Sequence, residues 1–265
     1  MKGIDLSVVI VTWNSADFIT GCLESVIKSA SDYKFEIILV DNDSKDNTVD
    51  QVRRRFPEVK ILKQNTNLGF GQGNNIGISH ARGKFILLLN PDTVVNKRAI
   101  RKMYEFLVEN KTVGAVGPEQ LNAENRIIFT YSRHSLRGIA EYIAERVLGI
   151  IKGEYRIIFS TPYEVRYLNL GCVMTRREIW EQGVTFDPGL FLYGEEATVF
   201  PKIGRLGWRV FFLRNCFIYH FRGKSISKTG KKFWFAIRSW KYILKKKCRL
   251  CSGSLGIADS TKRTS

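Results

Sequence analysis

The acid that follows the apolar run Phe85–Leu89 is the first candidate for chemistry in this 265-residue chain. Five consecutive apolar residues predict a buried strand and are too few to span a bilayer. Pro91 cannot donate to a sheet ladder, so we expect the strand to stop before it and Asp92 to lie just beyond the carboxyl end. An acid there suits a hard divalent cation that bridges to substrate phosphates. The alternative is a turn aspartate that only closes the strand.

Polar residues follow each of the first four predicted strands. The alternation of strand and helix predicts an α/β fold with a doubly wound, mostly parallel sheet. The carboxyl ends of parallel strands meet at one edge, where ligands bind in open α/β sheets, and glycines let backbone approach a ligand closely. The strands and their polar ends are Leu6–Val11 with Thr12, Phe35–Val40 with Asp41, Val59–Lys63 with the glycine loop Asn67–Gly73, and Phe85–Leu89 with Asp92.

The second half of the chain is harder to divide into elements. We predict strands at Gly114–Gly117, Leu168–Thr175, Trp208–Leu213 and Phe217–Tyr219, and helices at Ser135–Ile151, Arg176–Gln182 and Ala197–Leu206. The last of these helices directly follows a pair of acids, Glu195 and Glu196, and the last strand ends at His220.

The charge of the chain is unusual, since 42 Lys and Arg against 25 Asp and Glu give a formal net charge of +17. Such an excess implies an anionic partner: nucleic acid, a phosphorylated substrate or an anionic membrane surface. No base-stacking or groove-reading motif is present, so we do not expect a nucleic-acid partner. Five cysteines without dense spacing are typical of reduced thiols in a cytosolic protein, and Cys248 and Cys251 form only half of a zinc motif. We predict no signal peptide and no membrane span.

The segment Lys228–Arg249 carries nine Lys and Arg and no acid. On a helix, its apolar residues fall on one face, with basic residues opposite. This pattern is typical of a helix that lies on anionic lipid. The alternatives are a helix that packs on the preceding domain or in a homodimer, and a nucleic-acid patch. The apolar residues are Phe233, Ala236, Ile237, Trp240, Ile243 and Leu244.

A series of blocks, in the right order over about residues 5–226, resembles the family 2 glycosyltransferases. This is the large inverting group with the GT-A fold, and the closest similarity is to its rhamnosyltransferase-like branch, which acts on bacterial surface polysaccharide. Blocks in the correct order are a far more specific signal than any one of them. The blocks are Val8–Ser15, Val40–Thr48, Asn67–Gly77, Leu89–Thr93, Asn169–Arg177, Phe186–Glu196 and Gly207–Ser225.

The resemblance implies a nucleotide-sugar site. Thr12 and Asp41 would hold the base and ribose, with the Asp41 carboxylate accepting from N3–H of uracil or thymine. Asp92 matches the last acid of the family's metal-binding Asp-x-Asp and would bind Mg²⁺ or Mn²⁺. His220 matches a histidine that adds a metal or diphosphate contact in some members, although a lone histidine can also be structural. The implied nucleotide-sugar residues are Thr12, Asn14, Asp41, Asp43, Asn67, Gly69, Asn75, Asn90 and Asp92.

The acid motif departs from the family pattern. The family has Glu-Asp-x-Asp, with the second acid as general base, whereas this chain has Glu195-Glu196-Ala197-Thr198. The resemblance implies catalytic roles for Glu196 and Glu195. Glu196 has one methylene more than the family's aspartate, which moves its carboxylate by about 1.5 Å. A misplacement near 1 Å can cost about 10²-fold in rate. The alternative is a solvated helix start, where the dipole favours acids.

The implied organisation is a GT-A domain over residues 1–227, a basic amphipathic helix over 228–250 and a disordered tail over 251–265. Residues 1–118 would form the nucleotide-sugar half and 119–227 the acceptor half. The implied activity is metal-dependent inverting transfer of a sugar, with rhamnose as one candidate, from a UDP- or dTDP-sugar to a saccharide or lipid-linked acceptor. We expect a cytoplasmic protein, peripheral on the inner face of the cell membrane. The rival is a catalytically weakened sugar-nucleotide binder or assembly subunit.

Overall fold

The structure is a computed structural model, and it describes residues 3–128, 131–132, 162–221, 237–239 and 241–243. Its strands are β1 (Leu6–Thr12), β2 (Phe35–Asp41), β3 (Lys60–Lys63), β4 (Phe85–Leu89), β5 (Thr93–Val95), β6 (Val113–Leu121), β7 (Ile127–Ile128), β8 (Tyr131–Ser132), β9 (Tyr163–Glu164), β10 (Tyr167–Leu168), β11 (Cys172–Arg176) and β12 (Arg209–His220). Its helices are α1 (Ile19–Ala30), α2 (Thr48–Arg55), α3 (Phe70–Ser79), α4 (Ala99–Glu109), α5 (Arg177–Glu181) and α6 (Glu196–Arg205). Residues 237–239 and 241–243 are also helical, and we call them the C-terminal helix.

One large sheet carries the site, and its main path runs β3-β2-β1-β4-β11-β6-β12-β5. The strands β3, β2, β1 and β4 are parallel to one another. β11 is antiparallel to both its neighbours, while β12 is parallel to β6. The predicted α/β class, with a mostly parallel sheet flanked by helices, is therefore confirmed. The antiparallel insertion of β11 was not predicted.

Both faces of the sheet are covered, which is why its central strands are apolar at nearly every position. Successive side chains of a strand point to opposite faces. On β1, Val8 and Ile10 accordingly belong to the core cluster that includes Leu23 of α1, whereas Val9 belongs to the cluster that includes Phe186. The packing of both clusters on the sheet, together with the strand pairing, fixes the positions of the ends of β1, β2 and β4.

Two glycines of α3 allow the helix to pack closely on the sheet. A β-carbon on Gly73 would stand 2.6 Å from Cγ1 of Val11, and one on Gly77 would collide with Val9. The sequence predicted that the glycines of the 67–73 loop, Gly73 among them, bring backbone close to a ligand. The structure gives Gly73 a packing role, and its predicted approach to a ligand stays a prediction.

Predicted and observed elements agree best in the first half. β4 occupies Phe85–Leu89 as predicted and ends before Pro91. In the second half, the strand predicted at Gly114–Gly117 runs on to Leu121. The two strands predicted after Gly207 form one continuous β12, whose pairing with β6 shifts register twice. The predicted helix at 135–151 and the predicted tail at 251–265 lie outside the described residues.

Candidate active site

Thr12 and Asp41 end neighbouring parallel strands and lie opposite each other in the register of β1 and β2. Both are buried, with 1% and 0% of their surfaces exposed. One carboxylate oxygen of Asp41 accepts from the backbone N–H of Ser44 at 3.2 Å. The other oxygen, and the hydroxyl of Thr12, have no hydrogen-bond partner among the described residues. Because an unpaired buried polar atom costs free energy, these two atoms mark a place where a ligand can supply hydrogen bonds.

Asn14 and Asp43 shape the turns that follow these two strands. Their φ angles are 51° and 62°, in the left-handed region that Asn and Asp tolerate better than most residues. Oδ1 of Asn14 accepts from the backbone N–H of Lys45 at 2.7 Å, and Nζ of Lys45 lies 2.6 Å from Oδ1 of Asp43. Asn14 thus ties the two turns together, and Asp43 holds the side chain of Lys45 within its own turn. The predicted contact of both residues with a donor stays a prediction.

The glycine loop is bonded to a second loop, Asp187–Gly194, which leads to the acid pair. Oδ1 of Asn67 accepts from the N–H of Gly69 at 2.9 Å. The next N–H, that of Phe70, donates to the carbonyl of Phe191 at 3.0 Å. Gly69 has a φ of 84°, and a β-carbon there would collide with the same carbonyl. Only glycine therefore fits where the two loops meet.

Asn75 makes a second junction between the same parts of the chain. Its amide donates to the carbonyl of Phe186 at 3.0 Å and accepts from the N–H of Phe186 at 2.9 Å. Gln72 adds a bond to the carbonyl of Pro188 at 3.2 Å. Asn75 therefore fastens α3 to the start of the 187–194 loop, and its predicted contact with the donor stays a prediction.

The turn that carries Asp92 is held from three directions. The N–H of Asn90 donates to the carbonyl of Gly171 at 3.0 Å, and the N–H of Phe221 donates to the carbonyl of Asp92 at 2.9 Å. The hydroxyl of Thr93 closes the turn onto the carbonyl of Asn90 at 2.7 Å. These bonds fix the backbone on both sides of Asp92, so its side chain starts from a rigid position.

Asp92 and His220 meet in a buried polar cluster with Asn90 and Gln120. Oδ1 of Asp92 lies 3.3 Å from Nε2 of His220, and Nδ2 of Asn90 lies 3.3 Å from the same nitrogen. On the other side of the ring, Nδ1 is 2.8 Å from Oε1 of Gln120. A carbonyl oxygen can only accept, so Nδ1 donates to Gln120; in the neutral tautomer with its proton on Nδ1, the lone pair of Nε2 faces Asp92 and Asn90.

This arrangement fits a divalent cation. A carboxylate oxygen and a lone-pair nitrogen that face each other at 3.3 Å are both acceptors, and a positive charge relieves their repulsion. Two neighbouring ligands of an octahedral ion, each at about 2.1 Å, are roughly 3.0 Å apart. The described residues contain no group of three or more His, Cys, Asp and Glu that could hold a metal. The remaining ligands would therefore come from substrate and water, as is usual for Mg²⁺ at phosphate sites.

Glu195 is a buried acid with an unused oxygen. Its side chain lies against α3, with Cγ 3.7 Å from the place of a β-carbon on Gly71. Glu195 is 3% exposed, and its Oε1 has no partner within the described part of the chain. Burial, with a smaller contribution from the charge of Glu196, raises the pKa of Glu195 to about 8. At neutral pH this carboxyl is therefore mostly protonated and can donate a hydrogen bond.

Glu196 begins α6 and is the more accessible acid of the pair. The helix dipole favours an acid there. Thr198, which replaces the third acid of the family motif, donates its hydroxyl to the carbonyl of Glu195 at 2.9 Å. Just before the pair, Tyr193 and Gly194 have φ angles of 69° and 92°. A tyrosine in the left-handed region is strained, and such strain clusters at functional sites.

The C-terminal helix packs on the 187–194 loop. Oγ of Ser239 donates to the carbonyl of Leu192 at 2.6 Å, and the hydroxyl of Tyr242 donates to Oδ1 of Asp187 at 3.0 Å. Ile243 is buried beside them, with 8% of its surface exposed. Of the alternatives for this helix, packing on the preceding domain is what its described residues show.

Three described side chains of the C-terminal helix are exposed. Ile237, which the sequence placed on the lipid-facing stripe, is 38% exposed, and the basic residues Arg238 and Lys241 are exposed as well. The described ranges contain no helix that is both long enough and apolar enough to cross a membrane. Contact with an anionic membrane surface stays a prediction.

Sequence reasoning missed two residues of the site. Asn42 is 2% exposed, and its amide donates to the carbonyl of Gly69 at 3.0 Å. Its Oδ1 has no partner among the residues described, and its position next to Asp41 was a usable signal. Gln120 lies on β6 beyond Pro118, where the predicted strand had already ended, and nothing in the local sequence pointed to it.

A mostly parallel sheet, with acids at its carboxyl edge and a turn acid beside a histidine, agrees with the resemblance to the GT-A glycosyltransferases. The model of the family described as Glycosyl transferase family 2 matches residues 7–183. The chain belongs to this family.

Three curated relatives are named as a succinoglycan biosynthesis protein, a rhamnosyltransferase and a glucosyltransferase. The chain is 28% identical to "Succinoglycan biosynthesis protein ExoO" of Rhizobium meliloti (strain 1021), over 85% of this chain and 63% of that protein. It is 23% identical to the "N-acetylglucosaminyl-diphospho-decaprenol L-rhamnosyltransferase" of Mycobacterium tuberculosis (strain ATCC 25618 / H37Rv), over 90% of this chain and 83% of that protein. It is 31% identical to the "Poly(ribitol-phosphate) beta-glucosyltransferase" of Bacillus spizizenii, over 40% of this chain and only 18% of that protein. The chain thus spans less than two thirds of the first and third of these relatives.

Solved structures agree on the fold. GalNAc-T7 with UDP, GalNAc and Mn²⁺ matches with a TM-score of 0.63 at 20% identity, over 83% of this chain and 44% of that one. The mannosyltransferase PcManGT from Pyrobaculum calidifontis, with GDP-Man and Mn²⁺, matches with a TM-score of 0.60 at 19% identity, over 84% and 59%. These likenesses confirm the predicted GT-A fold.

Proposed function

We propose that the chain is a metal-dependent inverting glycosyltransferase. It moves a sugar, with rhamnose as one candidate, from a UDP- or dTDP-sugar to a saccharide or lipid-linked acceptor in surface polysaccharide synthesis. Membership of family 2 supports the transfer activity. The succinoglycan and L-rhamnosyltransferase relatives support the polysaccharide context.

The observation that carries the proposal is the pair of unused buried oxygens on Thr12 and Asp41. Both stand at the carboxyl edge of the parallel strands, where open α/β sheets bind ligands. Uracil and thymine offer an N3–H donor to the Asp41 carboxylate, and ribose hydroxyls can donate to either oxygen. At the same edge of the sheet, Asp92 and His220 would hold Mg²⁺ or Mn²⁺, which neutralises a departing diphosphate when bound. Mn²⁺ in the two neighbouring structures supports such an ion.

Glu196 acts as the general base of the proposed reaction. It removes the proton from the acceptor hydroxyl, and that oxygen forms a bond to the anomeric carbon of the donor sugar. The bond from the same carbon to the phosphate oxygen breaks, and the nucleoside diphosphate leaves with the electron pair. A single displacement inverts the anomeric carbon and needs no covalent intermediate. Glu195, mostly protonated at neutral pH, can donate a hydrogen bond to a bound ligand and takes no part in the proton transfer.

A second candidate is a protein that binds the donor without transferring the sugar. The observation that favours it is the altered acid motif, in which Glu196 has one methylene more than the family's aspartate. Thr198 is bonded to the helix start and supplies no carboxylate. Nucleotide binding without turnover on any saccharide acceptor would select this candidate.

The basic C-terminal segment makes the anionic membrane surface the proposed location of the acceptor. Arg238 and Lys241 are both exposed on the C-terminal helix, and Arg238 lines a pocket together with Gly189 and Phe191 of the 187–194 loop. Each basic residue near such a surface contributes about 1 kcal/mol before screening. We expect the full chain to sediment with anionic vesicles, and the double variant Arg238→Glu, Lys241→Glu to sediment less. Equal sedimentation of both proteins would remove this part of the proposal.

Thermal-shift measurements with UDP, dTDP and GDP, each with and without Mn²⁺, test the proposed donor site. A true ligand at about 100 times its Kd stabilises the fold by about 2.7 kcal/mol. We expect UDP or dTDP to raise the Tm only when Mn²⁺ is present. Asp41→Asn should lose the shift, and Asp50→Asn on the exposed side of α2 is the matched control. The absence of a shift with every nucleotide would overturn the proposal.

A further inference from the structure

The ring of His220 is held on three sides. Gln120 Oε1 lies 2.8 Å from Nδ1, and Asp92 and Asn90 lie beside Nε2. A β-carbon on Gly171 would stand 2.7 Å from Cε1 of the ring and 2.9 Å from Nδ1, so the absence of a side chain there makes room for it. Gln120 is 1% exposed and His220 is 5% exposed.

We propose that Gln120 is a positioning residue that fixes the tautomer and orientation of His220 for cation binding. Its carbonyl oxygen accepts from Nδ1–H, which in the neutral ring favours the tautomer whose Nε2 lone pair faces Asp92. Metal-binding histidines almost always donate their other ring N–H to such a partner. The inference rests on the proposed cation site of Asp92 and His220, and it adds the residue that prepares it.

The sheet explains why Gln120 can do this. β6 and β12 are parallel, and Gln120 is the register partner of Ile218. His220 is two residues further along β12, so it lies on the same face of the neighbouring strand as Gln120. The contact is therefore built into two core strands rather than a loop.

Titration with Mn²⁺, followed by the loss of the electron paramagnetic resonance signal of the free ion, measures the predicted effect. Removing such a partner typically weakens metal binding 10–100-fold. We expect Gln120→Leu, which keeps the volume but not the acceptor, to weaken Mn²⁺ binding by about that factor. Gln120→Glu, which keeps the acceptor, should bind Mn²⁺ within a few-fold of wild type. Gln51→Leu on α2 is the same substitution at a remote position, and we expect it to leave the affinity for Mn²⁺ unchanged.

The ¹⁵N spectrum of the metal-free wild type separates this inference from the cation proposal. The chain has three histidines, and His220→Gln identifies the signal of His220. We expect the proton on Nδ1 in wild type and in Gln120→Glu. A proton on Nε2 in wild type, or wild-type Mn²⁺ affinity in Gln120→Leu, overturns the role of Gln120. If wild type binds no Mn²⁺ but shows the Nδ1–H tautomer, the cation proposal fails and the positioning of His220 by Gln120 stands.

Discussion

Replacement of Glu195 by glutamine is expected to make the fold less sensitive to rising pH. The wild-type carboxyl is 3% exposed and has one oxygen without a partner in the described residues, so the fold disfavours its charged form. Burial and the neighbouring charge of Glu196 raise its pKa from the ordinary 4.5 to about 8. Glutamine has nearly the same shape and cannot ionise.

The direction of the effect follows from proton linkage. Below pH 4.5 the carboxyl of Glu195 is protonated in both states and adds no pH dependence. Between pH 4.5 and about 8 the unfolded chain releases the proton while the folded chain keeps it, so the free energy of unfolding falls as pH rises. A difference of one pKa unit between the folded and unfolded states corresponds to about 1.36 kcal/mol. With a pKa of 4.5 in the unfolded and about 8 in the folded chain, the free energy of unfolding falls by at most about 5 kcal/mol once the pH is above 8. Glu195→Gln should gain stability over wild type by a margin that grows across this range.

Urea unfolding of the metal-free protein, at about pH 5 and at about pH 8, measures this margin. Glu196→Gln is the matched control, because it makes the same change one residue along at a more accessible position. It should keep most of the wild-type pH dependence, since burial is the larger cause of the shift at Glu195. If Glu195→Gln follows wild type at both pH values, the carboxyl is solvated and the buried acid described above does not exist.

Three further perturbations address the rest of the site. Asp92→Asn should abolish the Mn²⁺-dependent rise in Tm with nucleotide and leave the metal-free Tm nearly unchanged; an unchanged Mn²⁺ dependence would put the cation elsewhere. Glu196→Gln should lower kcat by about 10²–10⁴ and leave the donor Kd unchanged, because a base acts on the acceptor; unchanged turnover would transfer the role to another group. Tyr242→Phe removes the 3.0 Å bond to Asp187. We expect the free energy of unfolding, measured in urea, to fall by about 1 kcal/mol and kcat to fall as well. If neither changes, that contact is incidental.

The first half of the fold was predictable because its signals are local. The runs Leu6–Val11 and Phe85–Leu89 are apolar on both faces, and polar residues or proline end them within the same few residues. β6 was not predictable in full because Pro118 normally argues against a central strand. In the structure it is the register partner of Leu213, and the pairing shifts directly after that point. The irregularity that accommodates Pro118 is therefore on β12, almost a hundred residues further along the chain.

The positions of the candidate site residues were predictable to a similar degree. Thr12, Asp41 and Asp92 could be placed at one edge of the sheet because each stands at the end of its own strand. Gln120 could not, since its role depends on the parallel pairing of β6 with β12. The structural role of Asn75 could not be predicted either, because its amide bonds to the backbone of Phe186, 111 residues further on; its predicted contact with the donor stays a prediction.

The many anchors of the 187–194 loop limit how this protein can diverge. The loop is bonded to α3 through Phe191 and to the C-terminal helix through Leu192, and it delivers Glu195 to the start of α6. We expect an added residue to break one anchor or turn the acids away, so the loop should tolerate no change of length. In the proposed reaction, we expect new acceptor preferences to come instead from replacement of its exposed aromatics, Phe191 and Tyr193. Single-residue insertions after Pro188 and, as a control, after Asn125 in an exposed turn would test this: only the first should cost activity.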